Sequence, residues 1–353
     1  MEANSAAAKS TSGISRRRLL GYACCAGPGA VGLSRRCFAA DAGAIDVHHH
    51  VSPPVWLQGA REQIAATNRN SAAITGWSAA KSLDEMDRAG VTTSVASVTN
   101  PGIWFGDIDA ARKLARGCNE FMARLKQDAP GRFAALAAIP LPDAPGALAE
   151  IEYALDALKL DGVGLLSNYD SKWLGDAAFA PVLAEFDRRG ATVFVHPTSS
   201  ACCSAQIPDV SFSAIEFPID TTRAIVSLLF SGALNKYPDI KWIFSHAGGA
   251  MPMLAQRVAQ IMEAQPALKP RIPNGVLHEL KRLHYDLALA ANPMAIAALT
   301  GLAPASQILF GTDYPLSVPK TVLDNVVAHG FDAATLGAIR RDNALRLFPR
   351  ISG

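Results

Sequence analysis

Three histidines stand side by side at His48-His49-His50, at the end of the short run Ile45-Asp46-Val47 and just ahead of Pro53-Pro54. Side chains on a strand alternate faces, so His48 and His50 point one way and His49 the other. Two imidazoles one pleat apart can grip a single metal ion. Three further polar residues follow apolar runs in the same manner. His196 ends Val193-Phe194-Val195 before Pro197. His246 ends Trp242-Ile243-Phe244-Ser245, and Asp313 follows Ile308-Leu309-Phe310 within Gly311-Thr312-Asp313-Tyr314-Pro315. Imidazoles with one carboxylate make a good donor set for Zn²⁺ and an acceptable one for Mn²⁺. The set expected to hold the ion is His48, His50, His196 and Asp313. A lone histidine after a buried strand is usually satisfied by backbone; such residues at four strand ends together are a poor match to chance. His278 and His329 lie in helical or loop sequence without that context, and His284, followed by Tyr285-Asp286, reads as core or as support for a ligand.

The elements that must position these residues recur as strand-then-helix units, eight in all. The strands are read at Ile45–His48, Thr92–Val98, Phe133–Ile139, Gly162–Leu166, Thr192–Val195, Lys241–Phe244, Leu283–Leu287 and Gln307–Phe310. Residues 52–78, with Trp56 and Trp77, read as a long irregular connection. Helices follow with a 3.6-residue period: Ser82–Arg88 stopping at Gly90, Asp107–Asp128, Gly146–Leu158, the stripe Phe179, Val182, Leu183 and Phe186, and the face Ile225, Leu228 and Leu229. Strands with no polar alternation are covered on both sides. This pattern predicts an α/β fold, a (β/α)8 TIM barrel over residues 43–353, rather than an open doubly wound sheet, and no glycine fingerprint for a dinucleotide follows the first strand. In a barrel all these strand ends open on one mouth, where active sites are built.

Residues 1–42 differ from the rest. Ser15-Arg16-Arg17-Arg18-Leu19-Leu20, a weakly apolar run to Leu33, and small residues around Ala39, Ala40 and Ala42 resemble a twin-arginine export signal. The run is too short and too small-residued to span a membrane. A periplasmic or exported location is expected, or a cytoplasmic one if the signal does not work. Of 33 basic and 31 acidic residues, six basic and one acidic fall in residues 1–40, which leaves the remainder three charges negative. The formal charge of +2 therefore belongs to the signal and gives no argument for a nucleic-acid partner. Beyond the signal, Cys118, Cys202 and Cys203 do not make a disulfide framework. The vicinal pair reads as loop sequence, with a soft metal site as its alternative.

The ordered set His48-x-His50, His196, His246 and Gly-Thr-Asp313 resembles the amidohydrolase superfamily, in its aminocarboxymuconate-semialdehyde decarboxylase-like branch. Supporting stretches are Glu85-Met86-Asp87-Arg88-Ala89-Gly90-Val91, Ser245-His246-Ala247-Gly248-Gly249 and Asn343-Ala344-Leu345-Arg346-Leu347-Phe348. Phe217-Pro218 with Thr221-Thr222-Arg223 is most similar to 6-methylsalicylate decarboxylase-like proteins. The likeness runs from about residue 44 to 349. Members with two ions bridge them by a modified lysine ending the fourth strand; here that end reads Leu165-Leu166-Ser167-Asn168, so one divalent ion, zinc before manganese, is expected. The semialdehyde decarboxylase's substrate-binding arginine has no equivalent near Trp77, Arg69 being out of register.

The resemblance implies non-oxidative decarboxylation of an ortho-hydroxy aromatic or related unsaturated carboxylic acid, with release of CO2. Losing CO2 directly leaves a carbanion on the ring; protonating the ring carbon first avoids it. Asp313 is the candidate proton donor, and His246 the group that orients and exchanges protons or activates water; which of them delivers the proton stays open. Trp104, Phe105 and Asn168 are candidate substrate contacts, with packing as the alternative for the aromatics. The rival activity is hydrolysis of an amide, lactone or ester by the same groups. A binding protein without turnover is the third reading. The expected partner is a small carboxylic acid, with no nucleic acid and no membrane span, and a homodimer is expected.

Overall fold

The computed structural model describes residues 43–67, 71–200, 207 and 209–351. The export-signal expectation, Arg69 and the Cys202-Cys203 pair lie outside the described residues. Eight parallel strands form one sheet in sequence order: β1 (Ala44–His50), β2 (Val91–Ser97), β3 (Phe133–Ala138), β4 (Gly162–Leu166), β5 (Thr192–His196), β6 (Lys241–Phe244), β7 (His284–Asp286) and β8 (Ile308–Leu309). Three hydrogen bonds close β8 and its following residues onto β1: Val47 N–H to Phe310 C=O at 3.0 Å, Asp313 N–H to His48 C=O at 2.8 Å, and His50 N–H to Tyr314 C=O at 2.7 Å. The result is the expected (β/α)8 barrel.

The barrel interior is filled by Ile45, Val47, Val95, Leu136, Phe194, Ile243 and Leu309, and Leu347, Phe348 and Ile351 pack against the same cluster. A larger cluster on the outward faces joins the strands to the helices. Helix α1 (Ala79–Ala89) ends at Gly90, whose φ of 67° satisfies a left-handed cap that a Cβ would disfavour. Helix α2 (Ile108–Asp128) is capped by Asp107, and α3 (Ala144–Glu152) runs on through a π turn at Tyr153–Ala157. Helix α4 (Ala180–Arg189) buries Val182, Leu183 and Phe186 as its spacing requires. Helix α5 (Glu216–Ser231) buries Ile225, Leu228 and Leu229, and α6 (Met251–Glu263), α7 (Pro293–Leu302) and α8 (Pro319–Ala328) complete the ring.

Two expectations are corrected. The connection after β1 is not irregular: it holds short helices at Pro54–Gly59, Arg61–Thr67 and Ser71–Thr75, of which the first buries Trp56. The seventh and eighth strands are one residue shorter at each end than read, and beyond them single backbone bonds, Leu287 N–H to Leu309 C=O at 3.2 Å and Val47 N–H to Phe310 C=O, lead into the barrel mouth. No helix among the described residues is long and apolar enough to cross a membrane.

Candidate metal centre

Strict alternation from Ile45 and Val47, which face the interior, would turn His49 inward and His48 and His50 out. The pairing of β1 with β2 prevents this. Asp46 pairs with Ser94 and His49 with Ala96, so β1 carries one residue more than β2 over that step. This bulge resets the phase, and His48 and His50 turn into the mouth. His49 turns out: its Nδ1 lies 3.2 Å from Asp46 Oδ2, its Nε2 3.0 Å from Ser82 Oγ on α1, and its ring stacks on Tyr314.

His48, His50, His196 and Asp313 each offer one ligand atom, all within 4.8 Å of one another, and all four residues are buried. Each imidazole is tied down through Nδ1, which leaves Nε2 for the centre. The partners are Asp286 Oδ2 for His48 at 2.9 Å, Ser97 Oγ for His50 at 3.0 Å, and the Pro197 carbonyl for His196 at 2.8 Å. The Nε2 atoms of His48 and His50 face each other at 3.0 Å. Asp313 Oδ1 lies 3.2 and 3.1 Å from them, buried and without a well-directed hydrogen bond. Burial opposes a proton on His48, but Asp286 and Asp313 outweigh it and push the imidazole up to about 10. Burial takes His50 down to about 4 and His196 well below the usual imidazole range, with the neighbouring imidazoles adding to the effect. Burial would raise Asp313, yet His48 and His50 hold its carboxyl well below the usual range. Converging lone pairs, an under-bonded carboxylate oxygen and a field that calls for one positive charge all fit a divalent cation held by these four residues.

His246 stands beside this set, its ring centroid 5.0 Å from that of His48. Its Nδ1 is 2.9 Å from the Ala288 carbonyl, so Nδ1 carries the hydrogen and Nε2 is left for proton exchange. Its backbone N–H donates to Asp286 Oδ1 at 3.0 Å. The sequence pattern points to His284 on this strand and not to Asp286. Both face the same way on β7, but His284 starts the strand, half-buried, and bonds the Trp242 carbonyl at 3.2 Å, away from the mouth, whereas Asp286 ends the strand at the mouth. The strand-end rule applied to an acid would have found it. Asp46 was also passed over: its Oδ1 accepts from the Thr312 N–H at 2.9 Å and its Oδ2 from the Thr312 hydroxyl at 2.6 Å, clasping the β1 histidines to the Asp313 turn. His246, Ala247, Leu289 and Asp313 all hold positive φ values of 53–66°, and their clustering at one mouth marks backbone strain held at a site.

A cavity of about 640 Å³ opens over the centre. His196, His246 and Asp313 form part of its lining, with Thr99, Asn100, Phe217 and Asn292 among the other residues. Trp104, Phe105 and Asn168 are not in that lining. Trp104 Nε1–H donates to Asp170 at 2.9 Å, Phe105 packs partly buried on the outer core, and Asn168 donates to Asp220 Oδ2 at 2.7 Å. At the end of β4, where a bridging lysine would sit, Ser167 hydrogen-bonds Asp220 and accepts from the Thr198 N–H.

The family model described as amidohydrolase matches residues 45–350. A 6-methylsalicylic acid decarboxylase of Penicillium expansum is 35% identical over 319 residues, covering 88% of this chain and 97% of the relative. A 2-amino-3-carboxymuconate-6-semialdehyde decarboxylase of Dictyostelium discoideum is 27% identical and covers 70% of this chain and 69% of its own length. Among solved structures, a dihydroxybenzoic acid decarboxylase of Polaromonas sp., with bound manganese and the inhibitor 2-nitroresorcinol, superposes with a TM-score of 0.76 at 19% identity, over 88% of this chain and 98% of that one.

Proposed function

The chain belongs to the amidohydrolase family, and from that premise we propose that it is a metal-dependent non-oxidative decarboxylase of an ortho-hydroxy aromatic or related unsaturated carboxylic acid. The observation that carries this reading is a near full-length likeness to a 6-methylsalicylic acid decarboxylase in a chain whose imidazoles and Asp313 meet beneath a cavity. The relatives named above are decarboxylases, so the hydrolytic alternative is set aside.

A divalent ion held by His48, His50, His196 and Asp313 would polarise the substrate carboxylate and its neighbouring oxygen. The protein's own groups supply the rest. Asp313 is a carboxylate at neutral pH, so it accepts a proton before it can give one to the ring carbon. His246, held by Ala288 through Nδ1, exchanges that proton at Nε2. Asp286 keeps His48 and the His246 backbone in register. Protonation leaves the ring carbon tetrahedral; carbon–carbon cleavage then releases CO2 and returns the bonding pair to the ring, which restores the aromatic system.

Zinc is the ion favoured by a set rich in imidazole, with manganese as the competitor because the Polaromonas enzyme binds it. Elemental analysis of protein purified without added metal tests this; two ions per chain overturns the single site. The homodimer is tested by light scattering, where the mass of a single chain refutes it. Export is supported by Arg16-Arg17, and replacing both by lysine should hold the precursor in the cytoplasm; unchanged export removes the argument. The test of the activity is CO2 release from 6-methylsalicylate by metal-loaded protein. Incorporation of ¹⁸O from water into a carboxyl product, with no CO2, would replace decarboxylation by hydrolysis.

A further inference from the structure

The cavity over the metal centre is far larger than one aromatic ring needs. A cavity of about 150 Å³ accommodates benzene, and this one holds about 640 Å³. Its outer part is apolar in a directed way. An aromatic ladder leads outward from the ligand His196: Phe217 meets it edge-on at 6.2 Å between centroids, and Phe212 stacks on Phe217 at 6.5 Å. The facing wall is built from α7, where Met294, Ala295 and Ala298 share a face by their i, i+1, i+4 spacing. Met253 and Leu289 complete the rim. Met253, Met294 and Leu289 are 76%, 80% and 57% exposed, and Leu289 is held with a φ of 53°, unfavourable for a leucine. The positive φ of Leu289 thus sets a bulky apolar side chain at the mouth of the cavity.

The charges point the same way. Among the described residues lining the cavity there is no lysine or arginine, and Asp313 is the single acid. A second carboxylate on the substrate would meet no lysine or arginine among the described lining residues, only neutral donors such as Asn100, Ser211 and Asn292. An alkyl chain would find apolar side chains at Phe217, Phe212, Met294, Ala295 and Ala298, with Ser211, Ser213 and Asn292 in the same lining.

We propose that the site selects aromatic monocarboxylic acids that carry an alkyl chain of several carbons on the ring, such as 6-alkylsalicylates, the head lying at the metal centre and the chain along Phe217, Phe212, Met294 and Ala298. This rests on the decarboxylase reading and names its substrate class.

The test is a chain-length series of 6-methyl-, 6-propyl- and 6-pentylsalicylate with metal-loaded protein, read as CO2 release, alongside binding of the product 3-alkylphenols by calorimetry. The expected result is a kcat/KM that rises about two- to fourfold per methylene, fourfold corresponding to about 0.8 kcal/mol for each one fully buried, with phenol affinity rising in parallel. A second ring carboxylate should lower kcat/KM by at least about tenfold. Ala298→Phe should move the optimum to a shorter chain. A flat or falling profile, or an unmoved optimum in Ala298→Phe, overturns the proposal. Absence of CO2 from every member, 6-methylsalicylate included, defeats the decarboxylase reading instead, so the two failures are distinct.

Discussion

Asp286→Asn exchanges one oxygen for an NH2 group and leaves the shape of the side chain intact, yet the structure requires it to damage the metal centre. Asp286 Oδ1 accepts two backbone N–H groups, from His246 at 3.0 Å and Ala288 at 2.9 Å, so in the variant the amide oxygen must take that position. The amide NH2 then faces His48 Nδ1, 2.9 Å away in the native site. Two donors cannot share that contact. His48 must therefore move its hydrogen to Nε2, the atom that faces His50 Nε2 and Asp313, where it blocks ligation. Loss of a ligand's supporting partner typically weakens metal binding about 10–100-fold, or about 1.4–2.7 kcal/mol. Because the amide enforces the wrong tautomer, Asn should be at least as harmful as Ala, against the usual order for a near-isosteric change. The assay is competition for the ion against a chelator of known affinity, with circular dichroism to show that the barrel is folded. A folded Asp286→Asn protein that binds metal like the native one would refute the tautomer argument.

Three further outcomes follow from other contacts. His246→Asn should keep the metal but lower kcat by about 10²- to 10⁴-fold; metal loss in this variant would make His246 a ligand. His49→Ala should keep one ion per chain, since its ring faces away, but leave Asp46 and Ser82 each short of a partner and cost about 1–3 kcal/mol in denaturant unfolding; loss of metal without loss of stability would mean that the bulge has been read wrongly. Burial pushes His284 down to about 4, so between there and about 6.5 the unfolded chain binds a proton that the folded chain refuses. Its contribution is full above about 6.5 and fades as pH falls, by at most about 3 kcal/mol; Tm profiles of the native protein and His284→Gln should converge between pH 7 and 4.5, and parallel profiles would contradict this.

The barrel was legible in the sequence because strands covered on both faces must be apolar throughout, and runs such as Val193-Phe194-Val195 and Trp242-Ile243-Phe244 admit little else. The ligand set was legible because polar residues directly after such runs fall at one mouth. The bulge in β1 was not legible: His48 and His50 share a face in either phase, and only pairing with β2 decides whether that face is the interior. Asp286 obeys the same strand-end rule as the ligands, but its pairing with His48, 238 residues away, is set only by the fold. Trp104 and Asn168 were plausible contacts by position alone, and their partners Asp170 and Asp220 come from segments whose approach no local pattern encodes. Residues 54–75 gave weak helical signals because the helices there are only five to seven residues long.

In the proposed reaction one divalent ion, held by His48, His50, His196 and Asp313, supports replacement of a ring carboxylate by a proton. This is tested most directly by turning over carboxyl-¹³C 6-methylsalicylate in D2O with protein stripped of metal and then titrated with zinc or manganese. The expected result is one ¹³CO2 per acid consumed, one deuterium at the ring carbon that bore the carboxyl group, and a rate that saturates at one ion per chain. Turnover that survives complete removal of metal, or a product that retains the ¹³C label, would contradict it.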